Sequence, residues 1–124
     1  ETRNRRMRIT EIEIAGTMYP LCFSVKAYKE IEKKYGGLSE INEALTDVSE
    51  ILWTLELLSN QGAAYLKLTE NVESKTITSE NAEILIGFKD IPKIKTAIYD
   101  CLLSGMKRDI EVEVDPKNAE GAED

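Results

Sequence analysis

Residues 38–58 read LSEINEALTDVSEILWTLELL, and the fold turns on how this stretch is divided. Leu38, Ile41, Leu45, Val48, Leu52 and Leu55 recur at spacings of 3, 4, 3, 4 and 3, a heptad-like apolar stripe. Ala44, Ile51 and Leu58 widen it. Asp47 followed three residues later by Glu50 is a capping-box signature, which predicts that the helix restarts or bends near Thr46. Asn60-Gln61-Gly62 weakens the helix, yet Ala63 to Leu68 can continue it. Trp53 and Leu57 then fall on the side opposite Leu52 and Leu55, and Leu68 falls near Leu57. A helix that is apolar nearly all round must be buried on more than one side. In a chain of 124 residues part of the second face is expected to meet a partner. Trp53, Leu57 and Leu68 are the candidate partner-binding residues. For Trp53, and for Tyr65 on the same helix, a place in the core is the competing reading.

Toward the N-terminus, Arg8 to Ile14 is rich in β-branched residues, Ala15-Gly16-Thr17 is a turn signal, and Met18 to Ser24 resumes the alternation. Together they read as a β-hairpin. Tyr19, Leu21 and Phe23 share one face of its second strand, and Pro20 marks an edge or a bulge. Ser24 can cap a helix carrying Val25, Tyr28, Ile31 and Tyr35 inward, and Gly36-Gly37 ends it.

Toward the C-terminus, 70–76 is a polar loop. Thr78 or Ser79 caps a short helix to Phe88, with Ile84, Leu85 and Phe88 inward. Asp90 caps a last helix with Pro92 in its first turn and Ile91, Ile94, Ile98, Cys101, Leu102 and Gly105 on its inner stripe. Ile110, Val112 and Val114 alternate with acidic residues, which suits either a third strand beside the hairpin or an acidic tail. The expected fold class is α+β, mostly α: an N-terminal hairpin, with or without that third strand, packed on about four helices. The expected organisation is a basic extension at 1–7, one domain at 8–108, and an acidic strand or tail at 109–124.

The composition argues against chemistry. With no histidine, the commonest general base and metal ligand is missing. Cys22 and Cys101 cannot form a zinc site by themselves and read as small buried hydrophobes, with a disulfide as the alternative. Gly36-Gly37 lacks the Lys-Ser/Thr of a phosphate loop. No catalytic residue, cofactor or metal site is expected. No apolar run is long enough to span a membrane, and no apolar segment follows the early arginines to make a secretory signal. A net charge of −7 disfavours nucleic acid, although Arg3, Arg5, Arg6 and Arg8 crowd the front.

The run Ile12-Glu13-Ile14-Ala15-Gly16-Thr17-Met18-Tyr19-Pro20-Leu21-Cys22-Phe23, then Ala27 to Glu32, then Tyr35-Gly36-Gly37, resembles the start of the tail assembly chaperones of long-tailed phages and prophages. The likeness continues, through pattern more than identity, to about Met106. It implies a non-catalytic protein of the bacterial host cytoplasm that coats a hydrophobic, helix-rich tape-measure protein, or another helical tail protein, before the tail tube polymerises. It also fits self-association into a homo-oligomer. A structural tail component and a small regulatory or adaptor module are the alternatives.

Overall fold

A computed structural model of the chain describes residues 8–114, with side chains described for 8–106. The basic stretch 1–7 and the acidic residues 115–124 lie outside the described residues. The elements are β1 (Thr10–Ile14), β2 (Thr17–Leu21), α1 (Val25–Tyr35), α2 (Ile41–Ala44), α3 (Val48–Glu70), α4 (Ser79–Leu85) and α5 (Ile91–Val114), with 3-10 turns at Leu38–Glu40 and Phe88–Asp90. The architecture is α+β and mostly α, a two-stranded antiparallel hairpin set on helices.

The hairpin pairs Ile12 with Tyr19 and Ile14 with Thr17. Ile12, Ile14, Tyr19 and Leu21 are buried, while Glu11, Glu13 and Met18 face water. Ala15 and Gly16 connect the strands with φ of 50° and 84°, the left-handed pair that a type I′ turn requires. Pro20 faces Glu11 in an unbroken register, and a two-stranded sheet supplies the free edge where proline is tolerated.

No third strand forms among the described residues. Residues 110–114 continue α5 as helix. Extending an existing helix adds a hydrogen bond for each residue fixed, whereas a new strand must first close a loop back to the sheet. The period-two pattern of Ile110, Val112 and Val114 was therefore a misleading guide to this segment.

Helix α3 is the spine. Asp47 caps it, its carboxylate accepting from Ser49 N at 2.9 Å, and the chain does break between α2 and α3 as the capping box predicts. The helix runs through Gly62 to Glu70, where Asn71 closes it in the left-handed conformation. Ile51, Leu55 and Leu58 are fully or almost fully buried, each side chain stabilising the fold by about 1.5–3 kcal/mol. Val48, placed on the inner stripe by its spacing, is instead exposed at the first position of the helix, where it borders an open cleft.

Strand β2 lies directly on this spine at Gly62. A β-carbon there would sit 2.9 Å from Leu21 N and closer still to the Pro20 carbonyl, a clash with backbone that cannot swing away. One residue past the strand, Cys22 N donates to Leu58 O at 3.1 Å. Helix α5 closes the other side at Gly105, where a β-carbon would meet Phe23 Cδ2 at 2.9 Å and Phe23 O at 3.1 Å. The exit of β2 is thus held between two helices, each at a glycine. Ser24 then caps α1 and donates to Gln61 Oε1 at 2.6 Å, so the turn into α1 is tied to the same part of α3.

The two short helices pack through small residues. In α1 the buried positions are Ala27 and Ile31, while Val25 and Tyr28, expected inside, are exposed. In α4 Ala82 is buried and Ile86 follows it as half-buried, while Ile84, Leu85 and Phe88, also expected inside, face water. Alanine lets a short helix approach α3 closely, and the rotation this sets carries the bulkier side chains outward. For α4 the rotation is pinned at its start. Ile77 N donates to Ser59 Oγ at 3.0 Å and Ser79 N to Glu56 Oε1 at 2.7 Å, and Thr78 caps the helix.

Gly62→Ala is expected to destabilise the protein by about 2–3 kcal/mol, since overpacking against fixed backbone outweighs the helix-propensity gain of about 1 kcal/mol. A drop in the urea midpoint checks it; at a helical glycine facing solvent the same substitution raises the midpoint. Ala15→Asn is expected to stabilise the protein by about 0.5–1 kcal/mol and so raise that midpoint, because asparagine adopts the left-handed turn conformation at lower cost than alanine.

Candidate functional site

The three residues proposed for partner contact do not share one surface environment. Trp53 is half-buried and packed against the core. Tyr35, at the end of α1, meets it edge-on with ring centroids 5.7 Å apart. Lys34 Nζ lies 4.9 Å from its ring centroid, close enough for a cation–π attraction. Tyr35 Oη donates to Glu50 Oε1 at 2.7 Å, and Lys34 pairs with the same carboxylate at 3.5 Å. Burial, reinforced by that hydrogen bond to an anion, keeps the Tyr35 phenol well above its usual range. The group docks α1 onto α3. Leu57 is likewise half-buried and packed on the core. Leu68, by contrast, is 85% exposed near the end of α3.

The front arginines are represented by Arg8, whose guanidinium carbon lies 5.6 Å from the centroid of the Tyr65 ring. Arg3, Arg5 and Arg6 lie outside the described residues. Both cysteines are buried and free, as their apolar surroundings in the sequence suggest. Burial pushes the Cys101 thiol up to about 12, with Cys22 adding to the rise and a Thr10 hydrogen bond opposing it. Burial also raises Cys22, against the pull of Arg8. Thiols held protonated in this way are poor nucleophiles at neutral pH. Among the described residues, no three acidic, cysteine or histidine side chains gather as metal ligands, and no helix is long and apolar enough to cross a membrane.

An apolar cleft lies at the opposite end of α3 from Leu68. A cleft of about 240 Å³ opens where the first turns of α3 meet α4 and the start of α5. Val48, Leu52, Ala82, Ile86, Phe88 and Ile91 line it, with Glu83 at its side. Phe88 is 89% exposed, and Ile84 on α4 is 79% exposed. A contiguous apolar cleft marks an interaction surface more often than scattered apolar side chains do. The sequence signal that could have exposed this surface is the pair Ile77 and Ala82. They occupy the N′ and N4 positions around the Thr78 cap, a hydrophobic staple that fixes the helix rotation.

A separate, polar groove of about 520 Å³ is bordered by Lys34, Tyr35, Glu40, Glu43, Thr46, Asp47 and Glu50. It shares no lining residue with the cleft.

No protein-family model matches the chain, and no solved structure matches it. Structural maintenance of chromosomes protein 2 of Gallus gallus is 41% identical over 81 residues, covering 59% of this chain and 7% of that protein. The chain thus spans a small fraction of the curated relative it matches, and so short a shared stretch assigns it to no family.

Replacing Trp53 with alanine is expected to cost about 2–3 kcal/mol, less than a fully buried tryptophan, whereas Leu68→Asp should stay within about 0.5 kcal/mol of the parent. Thermal melts of the two variants check this. The thiols set an alkaline limit: unfolding frees groups whose ordinary value is 9.0 from sites that raise them. Their contribution is complete below about pH 9 and is lost as pH rises toward 12. Urea midpoints measured from pH 7 to 11 should hold steady and then fall.

Proposed function

We propose that this chain is a non-catalytic binding protein of the tail assembly chaperone kind, acting in the bacterial host cytoplasm on an apolar helical client, the tape-measure protein. The observation that carries this reading is the apolar cleft at the α3–α4–α5 junction, with Phe88 on its lining and exposed to water. A holding protein needs surface of this kind to cover its client and net charge to stay in solution, and the chain carries −7. The pattern from Ile12 to Gly37, similar to that of the phage proteins, names the client class. Turnover needs no part in the function, and apolar surface of this kind also suits self-association into a homo-oligomer.

Co-expression with the tape-measure protein of the same phage genome tests the reading. The client should be insoluble alone and soluble with this chain, and the Phe88→Asp variant should lose that effect while melting like the parent. A client that stays insoluble beside the parent chain contradicts the proposal. So does recovery of this chain in fixed ratio from mature particles, which is the behaviour of a structural tail component.

A further inference from the structure

Lys34, in the last turn of α1, holds its ammonium in a corner built from three other side chains. Its Nζ lies 4.9 Å from the ring centroid of Trp53, 5.7 Å from that of Tyr35 and 3.5 Å from Glu50 Oε1. The two rings stand at 86° to each other, so the corner has two aromatic walls. Tyr35 Oη donates to the same carboxylate oxygen at 2.7 Å and fixes it in place. Both rings pack against the core, so the walls keep their position whichever cation lies between them. Two aromatic faces and an anion around one ammonium form a cation cage, and the chain's own lysine occupies it.

Lys34 is loosely held there. Its side chain is 37% exposed, and an ion pair so open to water is weak. The polar groove beside it is bordered by the carboxylates of Glu40, Glu43, Asp47 and Glu50 and by Lys34 as its single cation. Negative charge therefore stays in surplus next to an ammonium that leaves easily.

We propose that the Trp53–Tyr35–Glu50 cage takes an arginine side chain of a partner protein, and that Lys34 is the internal occupant it displaces. A guanidinium stacks on aromatic faces, sheds water more readily than an ammonium and grips a carboxylate through two donors. Arginine therefore outcompetes lysine in the same corner. The carboxylates of the groove draw the incoming cation and make its capture sensitive to salt. The apolar cleft shares no lining residue with this groove, so the cage is a second contact, independent of the client surface.

Trp53 is the chain's one tryptophan, so its fluorescence reports on the cage directly. The probe is acetyl-arginine amide, titrated into the full chain, with acetyl-citrulline amide as a control of the same shape and no charge. Lys34→Ala empties the cage by replacing an exposed side chain with the best helix former, and a circular dichroism melt close to the parent's checks that the fold is kept. An internal occupant lowers apparent affinity by the fraction of time the cage stands open. Lys34→Ala should therefore bind the arginine probe about tenfold more tightly than the parent. Adding Glu50→Gln, which leaves Tyr35 an acceptor, should weaken that binding about tenfold, and added salt should weaken it as well. Equal responses to arginine and citrulline overturn the proposal. So does a Lys34→Ala variant that binds no more tightly than the parent, binding indifferent to Glu50→Gln, or the absence of a saturable signal in either chain.

Discussion

The backbone of β2 rests on α3 with no side chain between them. At Gly62 the Pro20 carbonyl and the Leu21 amide come closer than a β-carbon allows, and at Gly105 α5 reaches Phe23 in the same way. Everything else takes its position from this clamp. The Cys22 amide bonds to α3, Ser24 bonds to Gln61 while capping α1, and α1 is then laid against the start of α3 through Tyr35, Lys34, Trp53 and Glu50. The hairpin could not supply a stable sheet alone, since two strands are marginal in water. It is stable because one face packs on two long helices.

Small residues govern the contacts, which explains what the sequence did and did not disclose. The hairpin, the cap at Ser24, the stop at Gly36, the restart at Asp47 and the passage of α3 through Gly62 were all legible, because each depends on local backbone chemistry. The rotation of the short helices was not. Over two or three turns the hydrophobic period is poorly determined, and ranking positions by size favours Val25, Tyr28, Ile84 and Phe88. The helices pack instead through Ala27 with Ile31 and through Ala82 with Ile86. Close approach needs the smaller side chain, and the capping contacts of Glu56 and Ser59 lock that choice. The third strand, one of the two readings left open for this segment, does not form among the described residues for a related reason: alternation over a few residues cannot outweigh a helix already running into them.

The same reasoning bears on where apolar surface stays exposed. The expectation of excess apolar perimeter on the central helix placed partner contact at Trp53, Leu57 and Leu68. Two of these take part in packing the chain's own core, and only Leu68 is strongly exposed. Exposed apolar surface is found instead at the cleft between the first turns of α3, the end of α4 and the start of α5, with Phe88 in water beside it. That cleft sits far along the spine from Leu68, with the Glu83 carboxylate on its lining. A rigid clamp thus holds one part of the molecule and an apolar cleft opens at another.

Hydrogen–deuterium exchange with and without a bound tape-measure fragment tests that claim most directly. The account predicts new protection confined to the start of α3, α4 and the 3-10 turn leading into α5, with the amides around Gly62 and Gly105 equally protected in both states. Protection centred on the Leu68 end of α3, or loss of protection at Gly62 on binding, would contradict it.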